Sequence, residues 1–217
     1  MRFVMKFSGG LTQDEIFVGN VYNKYAARNP LVRLIMRRFL RTFDDFVAKA
    51  DPASIHEIGC GEGFLTLRWK RQGKNARGSD FSEKVIAIAK ENAVVQGVSS
   101  SIFKTRSIYD VTLEDAADLL VCCEVLEHLE NPSEALKALQ SLAPKFVIFS
   151  VPREPLWRVL NVMRGKYISA WGNSPGHIQH WSRKEFLNLL QSFFSIVEVR
   201  TPLPWTMVLC SSKNAGE

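Results

Sequence analysis

The sequence predicts an α/β fold built on one doubly wound, mostly parallel sheet of seven strands, with helices at its N-terminus. Three observations carry the prediction. From residue 54 onward, short apolar segments alternate with stretches of helical periodicity, the rhythm of strand–helix–strand units that pair in parallel. The first apolar segment runs straight into Gly59-Cys60-Gly61-Glu62-Gly63, a turn that feeds a helix. The last two strand-like segments are joined through Pro202 and Pro204, a connection suited to a sheet edge and to one antiparallel C-terminal strand.

Residues 1–11 read as loose, within an N-terminal helical lid region spanning 1–50. Asn29 suits the cap of a helix over 30–50, and Pro30 its first position, where no backbone donor is needed. Leu31, Leu34, Ile35, Phe39 and Phe46 recur at helical spacing, with Arg33, Arg37 and Arg41 on another face. Asp51-Pro52 ends that helix and opens a domain over 51–217. Strands over 54–58 and 75–79 flank a helix over 64–72 that Gly73 closes. Ser82 starts a helix to Gln96, apolar at Val85, Ile86, Ala89 and Ala93, with Gly97 just beyond it. Strands follow over 101–105 and 118–123. Asn131, Pro132 and Glu134 open the next helix as cap, first residue and capping-box acid. The run Phe146–Val151, apolar except at Ser150, reads as a central parallel strand. Residues 152–181, rich in Trp, Arg, Gly and Pro, break the rhythm and are too long for an ordinary connection, so they read as a substrate-binding insert. Ser182-Arg183-Lys184-Glu185 is a further capping box, opening a helix to Gln191 before strands over 194–200 and 205–212.

At 217 residues, 46% of them hydrophobic, the chain is sized for one domain rather than two. No apolar run approaches the roughly 20 residues of a membrane span. Met1–Lys6 is too briefly apolar for a secretory signal, so a cytoplasmic location is expected. Four cysteines without a Cys-x-x-Cys spacing indicate neither a zinc cluster nor a disulfide framework. The formal charge of +6 is uneven: residues 22–50 carry seven Lys or Arg against Asp44 and Asp45, and residues 153–185 carry six against Glu154 and Glu185. Basic faces of this kind suit an anionic substrate, RNA or a lipid surface, and they also describe an ordinary solvated exterior.

Glycines at alternate positions let the backbone turn tightly and approach a ligand closely, because no Cβ intervenes. The helix N-terminus beyond them favours a nucleotide. Dinucleotide folds place the third glycine one position later, and here position 64 is Phe. Glu57, two residues before the first glycine, can meet a cationic amino-acid tail. The pattern Glu57-x-Gly59-x-Gly61-x-Gly63 resembles motif I of class I S-adenosylmethionine (SAM) methyltransferases, and the resemblance covers residues 50–212. It implies a Rossmann-like sheet, with SAM as cofactor. The three glycines would pass under the methionine moiety. Asp80, at the end of the second strand, can accept from both ribose hydroxyls, and it also suits a plain cap of the following helix. Phe81 can pack on the adenine, and the backbone at Cys123 would contact the SAM amino group. Where the family often places an Asp for the adenine amino group, this chain has Ser107, with Ile108 as the flanking apolar residue.

Glu124-Val125-Leu126-Glu127-His128 resembles the Glu-x-x-Glu-His motif of the O-methyltransferases of ubiquinone biosynthesis and their small-molecule relatives. It is similar, too, to that of the small-RNA 3′-terminal 2′-O-methyltransferases. On a helical turn, Glu124, Glu127 and His128 would share a face. In the RNA group the motif binds a divalent metal together with a distal His, and the segment His177–Phe186 puts His177 at that place. The implied ligand set is Glu124, Glu127, His128 and His177, suited to Mg²⁺, Mn²⁺ or another divalent ion. Without a metal, His128 is the base that removes a proton from an oxygen nucleophile, oriented by Glu127 or Glu124. His180 reads as a rim residue, and His56, Cys122 and Cys123 as packing. Tyr22, Lys24 and Tyr25 are placed to close over SAM and substrate. The insert also holds Arg153, Lys166, Tyr167 and Trp171, and in it Leu156, Trp157, Val159, Leu160 and Met163 form one apolar stripe on a short helix beside Arg158 and Arg164, suited to a lipid-like contact or to packing as a lid.

These readings converge on a SAM-dependent methyltransferase that O-methylates a small molecule, with a lipid- or sugar-containing acceptor and a peripheral membrane contact among the options and no obligate protein partner. A divalent-metal-dependent RNA ribose 2′-O-methyltransferase is the rival enzyme, disfavoured by the modest excess charge and the lack of a separate RNA-binding domain. A protein that binds SAM without catalysis is the rival of another class.

Overall fold

The computed structural model describes residues 5–13, 16–19, 24–163, 165, 167–174 and 176–213. Tyr22, Arg164 and Lys166 lie outside the described residues. Two short antiparallel strands, β1 (Thr12–Gln13) and β2 (Ile16–Phe17), precede helix α1 (Pro30–Ala50). Asn29 does cap α1: its Oδ1 accepts from the Leu31 backbone N–H at 2.9 Å, supplying a partner to a donor that the first turn leaves orphaned. Then follow β3 (Ile55–Ile58), α2 (Phe64–Arg71), β4 (Ala76–Asp80), α3 (Glu83–Val95), β5 (Phe103–Thr105) and β6 (Leu119–Cys123). The chain continues through α4 (Pro132–Ser141), β7 (Phe146–Pro152), α5 (Leu156–Met163), α6 (Arg183–Gln191), β8 (Phe194–Arg200) and β9 (Trp205–Ser212).

Strands β3 to β9 form one seven-stranded sheet in the order β5-β4-β3-β6-β7-β9-β8. Only β9 is antiparallel, to both of its neighbours, as the terminal Pro-containing connection predicts. Phe39, Phe43 and Phe46 of α1 pack with Trp69, Trp205, Met207 and Leu209 in one core. A second core joins Leu136 and Leu139 of α4 and Phe186 and Leu190 of α6 to Leu120, Val147 and Phe149. Burying each such side chain stabilises the fold by about 1.5–3 kcal/mol. Helix α1 thus buries one stripe beside the sheet while Arg33, Arg37 and Arg41 stay exposed. No helix among the described residues is long and apolar enough to cross a membrane.

Three local expectations are corrected. Residues 100–102 form a 3₁₀ turn, and the strand there begins only at Phe103. Residues 5–11 are not loose: the Lys6 backbone N–H donates to Asn92 Oδ1 at 2.8 Å, Asn92 Nδ2 returns a bond to the Lys6 carbonyl at 3.0 Å, and the Ser8 N–H donates to Glu62 Oε1 at 3.0 Å. Farther along, Ser82 Oγ donates to Gln13 Oε1 at 2.8 Å, so the N-terminal segment crosses α3 and the glycine turn as a strap. The stripe on α5 splits: Leu156, Trp157 and Leu160 are half-buried, whereas Val159 and Met163 are 50% and 77% exposed.

Candidate active site

The strand order reverses between β3 and β6, and their C-terminal ends open a crevice of the kind that receives ligands in open α/β sheets. The glycine turn forms the floor on the β3 side. Gly59, Gly61 and Gly63 all have positive φ, at 77°, 52° and 82°. The neighbours differ. A Cβ on Gly59 would stand 2.2 Å from Val125 Cγ2 across the crevice, and one on Gly63 would stand 2.4 Å from Phe103 Cζ. A Cβ on Gly61 would meet nothing closer than the Gly19 Cα at 4.0 Å, so only its backbone conformation requires glycine. The Gly59 and Cys60 amides donate to the Ser79 carbonyl at 2.8 and 2.9 Å, locking the turn to the end of β4.

Asp80, the last residue of β4, is buried and spans the turn: Oδ2 accepts from the Gly61 N–H and Oδ1 from the Ser82 N–H, each at 3.0 Å. Burial pushes its carboxyl up against the pull of those two donors. Two bonds leave half of the roughly four acceptor positions of a carboxylate available. Phe81 is 42% exposed beside it. Ser107 caps a 3₁₀ turn over Ile108–Asp110, its Oγ accepting from the Tyr109 N–H at 3.2 Å, and Ile108 is buried in the core. Cys123, at the end of β6, is half-buried, with its Sγ 3.4 Å from Ser150 Oγ. Glu57 is buried, and its Oε2 accepts from both the backbone N–H and the hydroxyl of Thr66. Burial raises its pKa to about 8, against the lowering effect of the Thr66 bonds.

Beyond β6 the Glu-x-x-Glu-His segment is not one helical turn. Glu124 sits at φ 54°, and the 3₁₀ turn covers only Leu126–His128. The three residues therefore do not share a face as the spacing predicts. The Glu124 carboxylate accepts from Lys24 Nζ and from Trp205 Nε1. Burial alone would raise its pKa, but the Lys24 ammonium and those two bonds outweigh it and hold the carboxyl below its ordinary range. What the fold brings together is Glu127, His128 and His177, whose ligand atoms all lie within 4.8 Å of one another; Glu124 stands outside this group. Both Glu127 oxygens are buried without a hydrogen-bond partner, and burial, with Glu124 nearby, pushes that carboxyl well up.

Neither carboxylate orients His128. Its Nδ1 lies 2.8 Å from the Gly176 carbonyl, which can only accept, so Nδ1 carries the hydrogen and Nε2 the free lone pair. Burial lowers the His128 pKa, and the imidazole is neutral at pH 7. His177 is pushed down to about 4 by burial and then by His128, whose ring is 4.8 Å away edge-on. His56 is structural: it bridges the Asp115 carbonyl at 2.7 Å and Ser79 Oγ at 2.9 Å. His180 stays at the rim, exposed, with Nε2 2.8 Å from Asn173 Oδ1.

Gly176, Ser174 and Trp205 escaped the sequence reading. Gly176 has φ 82°, and a Cβ there would stand 3.2 Å from His128 Nδ1; the Pro175-Gly176 pair was the available signal. The Glu127 carbonyl accepts from the Ile178 and Gln179 amides, both at 3.0 Å, which pins the insert beside the 3₁₀ turn. Trp157 of α5 stacks near His177 at 6.1 Å and donates from Nε1 to Ser174 Oγ at 2.9 Å. Trp205 had no signal beyond apolarity. Tyr25 stacks on Phe64, with ring centroids 3.5 Å apart, and Lys24 donates to Glu124.

The family profile described as "Methyltransferase domain" matches residues 25–197. A ubiquinone biosynthesis O-methyltransferase of Xanthomonas axonopodis pv. citri is 27% identical over 129 residues, 56% of this chain and 54% of that protein. The chain thus spans about half the length of that relative. Among solved structures, magnesium protoporphyrin IX methyltransferase from Synechocystis PCC 6803, with bound SAH, is similar at a TM-score of 0.64 and 22% identity, over 87% of this chain and 90% of that one. The small RNA methyltransferase HEN1 is similar at 0.61 and 19%, over 82% of this chain and 25% of that one. Both structural likenesses carry the fold alone. With the family profile covering most of the chain, and with the glycine turn and Asp80 at the switch point of the sheet, this chain belongs to the methyltransferase domain family, as a class I SAM-dependent methyltransferase.

Proposed function

We propose that this chain moves the methyl group of SAM to an oxygen of a small-molecule acceptor, with His128 as the base. One observation carries the reading: the Gly176 carbonyl holds Nδ1–H of His128, which leaves Nε2 unprotonated as a proton acceptor. In the reaction the acceptor hydroxyl gives its proton to Nε2, and the oxygen lone pair attacks the methyl carbon. The C–S bond breaks and its electron pair stays on sulfur, giving S-adenosylhomocysteine. The enzyme supplies alignment and the base rather than a covalent intermediate. In this reading Asp80 takes the ribose hydroxyls, Phe81 packs on the adenine, and Ser107 and Ile108 border the base. The glycine turn and the Cys123 backbone hold the methionine end. Glu57 receives the SAM ammonium, whose charge would draw its raised pKa back down. The relative named for ubiquinone biosynthesis supports an oxygen acceptor. For a lipid-borne acceptor, the contact surface is the exposed apolar group of Val159, Val162, Met163, Ile168 and Trp171.

Transfer of label from methyl-labelled SAM into fractionated extracts tests the reading. Label is expected in a small-molecule or lipid fraction. Label confined to RNA would overturn it, and SAM binding without transfer to any fraction would leave a non-catalytic binder.

A second reading rests on the orphaned Glu127 oxygens. One carboxylate with two imidazoles fits a divalent ion, and with Glu124 outside the set Mn²⁺ or a neighbouring transition ion suits it better than Mg²⁺. Glu127, His128 and His177 would hold the ion, which when bound would act as a Lewis acid toward acceptor oxygens. The resemblance of the Glu-x-x-Glu-His segment to the small-RNA group ties this reading to an RNA ribose acceptor. Dialysis against EDTA is expected to leave methyl transfer unchanged; a loss restored by Mn²⁺ would move the assignment to the metal-dependent reading.

A further inference from the structure

We propose that the groove between α1 and α2 seats an oxyanion carried by the methyl acceptor, a phosphate or carboxylate group; the assignment to an acceptor rests on the methyltransferase reading above. The groove encloses about 370 Å³. Arg33, Arg37 and Arg41 line it from successive turns of α1, Arg68 lines it from α2, and Lys24 and Tyr25 also line it.

Three features point to a ligand rather than to a solvated face. First, the arginine row is uncompensated. Like charges four apart on a helix repel one another. The two acids of α1 are already paired: Asp44, which itself lines the groove, with Arg68 at 2.6 Å, and Asp45 with Arg200. Among the described residues, Arg33, Arg37 and Arg41 have no ion-pair partner. Second, the row faces a concavity, where fixed charges of one sign reinforce one another. Third, the groove shares a wall with the reaction centre: Lys24 is paired to Glu124, and Tyr25 lies on Phe64, the residue that follows the glycine turn. An acceptor held by its anion in the groove can therefore extend past Lys24 and Tyr25 toward the crevice. Guanidinium forks match phosphate and carboxylate oxygens in bidentate pairs, which suits arginine over lysine along this row.

Titration calorimetry of the full chain with inorganic pyrophosphate at low ionic strength, with SAM titrated separately, tests the proposal. Saturable pyrophosphate binding is expected, weakened about tenfold in the Arg37→Gln/Arg41→Gln double variant, the loss of about one charge-assisted pair. SAM affinity should stay within about twofold, since both arginines are exposed, and this also reports that the variant is folded. Absence of pyrophosphate binding, or equal binding by wild type and variant, overturns the proposal. Pyrophosphate binding by a chain that binds no SAM overturns the assignment to an acceptor. Sedimentation with phosphatidylglycerol vesicles against phosphatidylcholine vesicles separates the sources. Arginine-dependent sedimentation supports a lipid-headgroup oxyanion, and pyrophosphate binding without it supports a free anionic acceptor.

Discussion

Asp80→Ala should weaken SAM binding at least about 100-fold, because two hydrogen bonds from ribose hydroxyls to a charged carboxylate contribute about 1.5–3 kcal/mol each. The residue already accepts from the Gly61 and Ser82 amides at 3.0 Å, so its carboxylate is oriented before any ligand arrives. That preorganisation is why a single side chain can carry so large an effect. The same bonds mean that alanine also frees the glycine turn from α3, whereas Asp80→Asn keeps the shape and one carbonyl oxygen. Asn should therefore show an intermediate loss of about tenfold, with a melting temperature close to wild type. Calorimetric titration with SAM reads both variants. Unchanged affinity in Asp80→Ala would place the ribose elsewhere.

His128→Ala should slow methyl transfer by about 10²–10⁴-fold at saturating SAM, the usual contribution of a positioned base, while SAM affinity is retained. Loss of rate and affinity together would instead mark His128 as a residue that shapes the cofactor crevice. The pH profile supplies the second readout. The base acts unprotonated, so rate should fall as pH drops through the His128 pKa. Burial places that pKa below the ordinary histidine value of 6.5, with the Gly176 bond and Glu124 opposing it. The acidic limb should accordingly lie below pH 6.5 and vanish in His128→Ala.

Parts of the candidate site were legible because local chemistry dictates their geometry. A glycine forced to positive φ, as Gly59 and Gly63 are, leaves a visible mark in the chain. Asp80 was legible from its place after a strand and before a capped helix. The Glu124–His128 segment was legible as a motif but not as geometry. Its spacing suggests one helical face, yet Glu124 adopts a left-handed conformation and turns its carboxylate to Lys24 and Trp205, which lie 100 and 81 residues away in sequence. The strap over the glycine turn left no periodic signal either, because it is held by hydrogen bonds from the Lys6 and Ser8 backbone to Asn92 and Glu62.

The strand–helix alternation, the caps at Asn29, Ser82 and Ser182 (Asn131 makes no side-chain cap bond) and the glycine spacing were enough to determine the α/β class, the order of nearly all elements and the glycine turn. Each depends on residues within a turn or two of one another, through backbone conformation and apolar periodicity. Tertiary structure alone decided which groups meet in the candidate site: that Gly176 rather than a carboxylate holds His128, that Glu127 gathers with His128 and His177, and that Glu124 answers to Lys24. Those partners come from the N-terminal segment, the insert and β9. They meet only because the sheet order brings chain ends and crossovers to one edge. Burial there also sets the protonation, lowering His177 to about 4 and raising Glu57 to about 8, shifts that depend on the dielectric of the packed crevice rather than on any neighbour in sequence.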